Sequence, residues 1–114
     1  GVKVGSLCVD SNDIAWNGYP ADGTYTHIDS TQQPDYWKGA IKACADKSMR
    51  LPTKDELNQL YQNYKTGGNT SGLSAAGYWS STEYSSTTAW AQSFATGAQG
   101  NAYKYAQHYV RCVR

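Results

Sequence analysis

Residues 53–68 write out one whole helix, start signal to stop, and beyond them the sequence never returns to helical spacing. Thr53-Lys54-Asp55-Glu56 is a capping box: the Thr hydroxyl takes the backbone N–H three residues on, and the Glu carboxylate reaches back. Leu57, Leu60, Tyr61 and Tyr64 then share one face, and Gly67-Gly68 ends the run. An earlier helix is predicted from Trp37, Ile41, Cys44 and Ala45. Pro34 suits its first turn, Asp35 adds negative charge there, and it ends near Lys47 or Ser48. After a loop at residues 69–77, YWSSTEY, AWAQSFATG and YVRCVR read as β-strands separated by Gly- and Ser/Thr-rich turns. Upstream, residues 3–10 carry strand-type side chains, and IAW followed by NGYPADG suggests a hairpin or irregular loops. Strand, two helices, then a strand-rich half: the chain is α+β.

At 114 residues it forms one domain. A net charge of +1, with Arg111 and Arg114 as the only late basic pair, excludes bulk electrostatic capture of nucleic acid. No apolar run approaches the roughly 18 residues of a membrane-spanning helix, so no direct membrane insertion by this fragment is expected. An opening GVKVG without Met reads as an excised piece, so the sequence leaves room for a targeting segment trimmed away.

Three cysteines (Cys8, Cys44, Cys112) allow three pairings, each leaving one thiol over. There is no CxxC, and His27 and His108 do not complete a ligand set, so a structural disulfide in an extracellular or periplasmic setting is expected rather than zinc. Gln33-Pro34-Asp35 matches the QPD tripeptide of galactose-type C-type lectins. Calcium needs about six to eight oxygens, however, and the late half offers Glu83 as its only carboxylate. Pro34 and Asp35 also have ordinary work at a helix entry. Ser80 and Ser81 lie in no nucleophile elbow, Cys44 has no catalytic motif around it, and no glycine-rich phosphate loop occurs. Asn69-Thr70-Ser71 is formally a glycosylation sequon. No enzyme, cofactor or metal site is expected.

Residues 85–109 mix Ser, Thr, Ala, Gly, Gln and Asn with Trp90, Phe94, Tyr103, Tyr105 and Tyr109, and Lys104 is their only full charge. The chain holds ten Tyr and four Trp against one Phe. Tyr and Trp join a large apolar body to a polar edge, which suits half-exposed binding surfaces.

Three blocks bear on family. They are CADKSMRLPTKDEL (residues 44–57), GYWSSTEY (residues 77–84) and the terminal YVRCVR (residues 109–114), with Ala89-Trp90, Phe94 and Gly97 between the last two. In that order they resemble the bacterial domain family typified by the C-terminal domain of the collagen-like adhesin Lcl, over residues 36–114. That family belongs to the formylglycine-generating-enzyme-like branch of the C-type lectin fold. The resemblance implies a C-type lectin-like fold, two helices packed on twisted antiparallel sheets with long loops. It also implies a Cys44–Cys112 bridge, leaving Cys8 free or paired with another chain. The enzyme naming the branch uses a pair of active-site cysteines. No second cysteine lies between Cys44 and Cys112, so its activity does not carry over.

The ending is also similar to the variable proteins of diversity-generating retroelements, where template adenines are randomised, often at AAY codons. Residue types reachable from AAY stand at Ser85, Ser86, Thr87, Thr88, Ala91, Ser93, Ala95, Thr96, Ala98, Gly100, Asn101, Ala102, Tyr103, Tyr105, Ala106 and His108. Interleaved Trp90, Phe94, Gly97, Lys104 and the VRCVR end read as scaffold, while Gln92, Gln99 and Gln107 are not AAY products. The resemblance implies a surface-displayed, adhesin- or receptor-type ligand-binding module, extracellular and bacterial or phage-encoded. Its partner would be a protein or glycan on a target cell or phage. The alternatives are a pilus or surface-assembly subunit with a fixed tyrosine-rich contact face and, behind it, a calcium-dependent sugar binder. Trp79, Trp90 and Phe94 are expected to be buried. Tyr103, Tyr105 and His108 are expected to form one exposed patch with residues 85–88.

Overall fold

Helix α1 (Tyr36–Ala45) begins where the Asp35 carboxylate accepts the Lys38 N–H at 2.7 Å. Asp35 is therefore the cap itself, and Pro34 belongs to the preceding strand rather than to the helix's first turn. The buried stripe of α1 also differs from expectation. Gly39, Ala40 and Cys44 are buried, whereas Ile41 and Ala45 face outward. The cause lies at Gly39, where a Cβ would sit 2.1 Å from the Pro20 carbonyl oxygen. Only glycine admits the loop so close, and that contact turns the Gly39–Ala40 side inward.

Helix α2 (Lys54–Lys65) carries the capping box in full, with Glu56 N–H on the Thr53 hydroxyl at 3.2 Å and Thr53 N–H on the Glu56 carboxylate at 2.9 Å. Arg50 grips the same carboxylate at 2.6 and 3.0 Å. That guanidinium, more than the cap, holds the Glu56 carboxyl below its ordinary range. Leu57, Leu60 and Tyr61 are buried, and Gly67 ends the helix at φ 73°.

The computed structural model describes residues 2–26, 32–68 and 73–114; His27 and the Asn69-Thr70-Ser71 sequon lie outside them. Within the described residues the chain is α+β, with two helices and antiparallel sheets. β1 (Val2–Val4) and β2 (Leu7–Val9) make a hairpin that folds back at Gly5, φ 59°. A 3-10 turn at Trp16–Gly18 leads to β3 (Thr24–Thr26), which pairs with β4 (Gln32–Pro34). The third sheet has the order β5 (Gly77–Glu83), β6 (Thr88–Ser93), β7 (Gln99–Tyr103), antiparallel throughout.

Two departures from the sequence reading concern strands. The sequence reading places no strand at QGNAY, now β7; pairing with β6 along its whole length makes it one despite its lack of β-branched residues. YVRCVR, expected as a strand, makes only isolated bridges, to Tyr78, Ile14, Val9 and Arg50 in turn. Its partners change every residue or two, so no ladder grows long enough.

This final segment is nonetheless deeply enclosed. Val110, Cys112 and Val113 are fully buried, and Val110 exchanges both backbone bonds with Ile14 at 2.9 and 2.8 Å. Val113 does the same with Arg50 at 2.8 and 2.9 Å. Arg111 is buried with Asp13, Nε to carboxylate 2.7 Å, and also donates to the Asp10 carbonyl at 2.9 Å. The other Asp13 oxygen accepts the Tyr78 hydroxyl at 2.5 Å. Burial first, and the Asp13 acceptor second, push the Tyr78 phenol well above its ordinary range. The core is thus two apolar clusters: one under α2, holding Leu57, Leu60, Tyr78 and Phe94, the other under α1, holding Cys44, Leu51 and Trp79.

Cys44 and Cys112 are bonded across a sequence separation of 68, and Cys8 is a free thiol. A loop of that length is worth about 4 kcal/mol by chain entropy. The paired substitution Cys44→Ala with Cys112→Ala should lower stability by about that amount in urea titration. A Cys8→Ala protein should unfold like the wild type. A double variant as stable as wild type would show that the bridge does not restrain the unfolded chain.

Candidate binding surface

Alternation along β6 and β7 sorts the sheet into two faces. Ala89, Ala91 and Ala102 look toward the α1 cluster. Thr88, Trp90 and Gln92 share the other face with their register partners Tyr103, Asn101 and Gln99. Helix α2 covers part of that second face through a chain of amides. Gln92, fully buried, donates to Asn58 at 2.9 Å and to the Gly97 carbonyl at 3.1 Å. Gln99 donates to Gln92 at 3.3 Å and to the Lys54 carbonyl at 2.8 Å. Lys54 opens α2, and past that N-terminus the face continues uncovered.

That uncovered end is aromatic. The Lys54 ammonium lies 3.9 Å from the centre of the Trp90 ring, a cation–π contact. Tyr84, in the β5–β6 turn and 58% exposed, meets Trp90 edge-on at 5.5 Å. Tyr103 and Tyr105 are both partly exposed and stack with centroids 5.2 Å apart and planes within 8°.

Lys104 stands between those two tyrosines yet is buried. Its ammonium reaches Glu83 at 2.5 Å and the Ser86 carbonyl at 3.1 Å, and lies 4.7 Å from the Trp37 ring centre. Its backbone N–H donates to Thr87 at 2.9 Å, and its carbonyl accepts Tyr36 N–H at 2.7 Å and Trp37 N–H at 3.3 Å. One residue thus joins the end of β5, the β5–β6 turn and the first turn of α1. The alternation of exposed Tyr with buried Lys is what the composition of residues 103–105 reflects.

The structure divides the sequence-predicted set. Ser85, Ser86, Asn101, Tyr103 and Tyr105 are exposed at the aromatic end or on the adjoining edge strand, as is Gly100. Thr87 and Thr88 are buried rather than exposed, because the Ser85 hydroxyl accepts both of their N–H groups, at 3.2 and 3.1 Å, and folds the turn inward. Ala91 is buried, and Ala102 and Ala106 pack against the α1 cluster. Ser93 closes β6, and Ala95, Thr96 and Ala98 form the β6–β7 turn, at the far end of a strand about 20 Å long. His108 joins neither group. Its ring is half-buried against Trp79, edge-on at 4.8 Å, beside Gly77 at the start of β5. The single patch expected from Tyr103, Tyr105, His108 and residues 85–88 is therefore smaller.

Of the expected buried aromatics, Trp79 and Phe94 are buried and Trp90 is only half so. Trp90, Tyr84 and Lys54 were missed as surface residues. The signal was present for Trp90, two residues from buried Gln92 on the same face, but its exposure depends on where α2 begins. In the QPD tripeptide the Asp35 carboxylate serves as the α1 cap. Among the described residues no three His, Cys, Asp or Glu side chains converge as metal ligands. Two depressions, about 370 Å³ beside α1 at Tyr19 and Lys42 and about 430 Å³ around Cys8 and Met49, both lie apart from the aromatic end.

The sequence matches the family model for the Lcl C-terminal domain over residues 9–114. The chain belongs to that family, and the match begins well before residue 36. No curated protein matches the sequence.

Two outcomes follow for the site's supports. Glu83→Ala strands the buried Lys104 ammonium and should cost about 2 kcal/mol, less than the roughly 3–5 of a fully buried pair because Glu83 is half exposed. Lys104→Met returns Glu83 to water and should cost less; the reverse order in urea titrations would refute this account. For His108, burial holds the imidazole below its ordinary range. Above about pH 6.5 both states are neutral; as pH falls through that value the unfolded chain takes up a proton first, so stability drops until the folded ring also protonates. The fall in melting temperature on acidification should therefore shrink in His108→Gln, and equal pH dependence in both proteins would count against it.

Proposed function

We propose that this domain is a surface-displayed, adhesin- or receptor-type ligand-binding module on a C-type lectin-like fold of the formylglycine-generating-enzyme-like branch. Its contact surface is the aromatic end of the third sheet, centred on Tyr84, Trp90, Asn101, Tyr103 and Tyr105 with Ser85 and Ser86 at the rim. The observation that carries the reading is a division of labour within residues 85–108. Gln92, Gln99 and Lys104, none of them AAY products, are committed to buried hydrogen bonds, and the scaffold residue Phe94 to packing. Gly97, at φ 85° with the Tyr61 ring where its Cβ would be, belongs with them. Ser86, Asn101, Tyr103 and Tyr105 look outward.

This is how a diversity-generating-retroelement variable region must be arranged, with fixed residues holding the sheet and interchangeable ones on its surface. Buried Thr87, Thr88 and Ala91 admit small residues only, which narrows the contact set. Rigid Tyr and Trp rings give large contact area at low entropy cost, and small polar neighbours supply adaptable hydrogen bonds. The disulfide suits an oxidising, extracellular setting. The target is a protein or glycan on another cell or phage.

Sequencing the copies of this domain across a population tests the diversification: substitutions should concentrate at Ser86, Asn101, Tyr103 and Tyr105 while Gln92, Gln99 and Lys104 stay fixed. Uniform variation along the chain would overturn it. For the surface itself, Tyr103→Ala and Tyr105→Ala should each leave melting nearly unchanged. Each should weaken attachment to cells that the wild-type domain coats by about 2 kcal/mol or more. Undiminished attachment by the double variant would put the ligand elsewhere. A fixed contact face of an assembly subunit would instead show as self-association lost in the same variants.

A further inference from the structure

The edge of β7 adds a second element to this surface. Lys104 N–H bonds Thr87 and Ser93 N–H bonds the Ala98 carbonyl, each at 2.9 Å, and both pairs are in the β6–β7 register. Bonded pairs alternate along an antiparallel ladder, so Gly100 and Ala102 are the β7 residues whose backbone groups face β6. The N–H and C=O of Gln99 and Asn101 therefore point away from the sheet. Among the described residues no strand pairs with that side of β7. Natural edges are usually guarded by a charge, a proline or a bulge; QGNAY has neither charge nor proline, and its register with β6 is unbroken.

Resting on the proposed binding surface, we infer that its partner is an uncharged, extended polypeptide segment that adds to the sheet as a strand beside β7, laying alternate side chains over Tyr103 and Trp90. Charge and size select this occupant. The strip from Tyr84 to Tyr103 carries no charged residue. The two nearest ammonium groups are taken, Lys54 by the Trp90 ring and Lys104 by Glu83. A segment rich in charge would lose hydration there with at most the single Lys54 ammonium to meet it. A second copy of the chain would have to pair along a strand only about 17 Å long. Such a strip falls well short of the roughly 1,200 Å² that a stable pair of proteins buries. A peptide gains from the edge and the rings together, as in other strand-addition complexes.

The probe is a linear heptapeptide selected from a displayed library on the wild-type domain and then synthesised. Asn101→Pro removes an outward N–H that the β6 ladder does not use, so the fold tolerates it as edge strands tolerate proline. Asn101→Ala removes the side chain alone. The Pro variant should bind the peptide at least about tenfold more weakly than the Ala variant, with similar melting. Independently of any variant, bound peptide should slow amide exchange at Gln99 and Asn101 by at least about tenfold. Equal binding by the two variants, unchanged exchange in the complex, or a library that yields no binder would each overturn strand addition. If strand addition fails while Tyr105→Ala still abolishes peptide or glycan binding, the aromatic surface stands; if neither substitution matters, both readings fall. Concentration-dependent dimers that Asn101→Pro abolishes would make the occupant a second copy and overturn the peptide assignment.

Discussion

Arg111 carries a guanidinium almost sealed from water, and such a charge is tolerable only beside its counter-ion with its remaining donors satisfied. Asp13 and the Asp10 carbonyl meet that demand, which pins the irregular N-terminal loop to the last residues of the chain. The neighbours then fasten everything else. Cys112 is bonded to α1, Val113 pairs with Arg50 just ahead of α2, and Val110 pairs with Ile14. Through Tyr78 the same Asp13 reaches the first residues of β5. Six residues without a regular ladder of their own hold two helices, a hairpin and a sheet in register.

The third sheet is held from both sides by different chemistry. On the α1 side small alanines allow close approach of an apolar cluster. On the α2 side a chain of side-chain amides fixes β6 to β7 and to the helix, with Gln92 and Gln99 each donating twice. Amide pairs are directional, so they set register where apolar contact alone would leave β7 free to slip. The consequence is an end of the sheet whose surface side chains are not needed to keep it folded.

How much of this was legible in the sequence depended on the range of the interactions. The α2 cap and the Gly67 stop are local, and both stand where the sequence put them. The α1 stripe was misread at Ile41 because the deciding contact, Gly39 on the Pro20 carbonyl, comes from another part of the chain. β7 and the YVRCVR segment were misread in opposite directions for one reason: strand character there is decided by the partner, present along all of β7 and interrupted for the other. The Cys44–Cys112 pairing came only through family resemblance, since spacing left three choices. Burial of Lys104 was foreshadowed by its being the lone charge in a neutral stretch, whereas the exposure of Tyr84 and Trp90 rested on where a helix happens to begin.

The position of Lys104 bears on how the domain behaves under mechanical load. A pull applied at the stacked tyrosines would act first on the residue between them. From there tension passes through the Lys104 carbonyl into the first turn of α1 and along that helix to Cys44. At Cys44 that route crosses the disulfide to Cys112. A load at this end would thus divide between β7 itself and a second path, hydrogen-bonded into α1 and sulfur-linked beyond it, that bypasses the sheet.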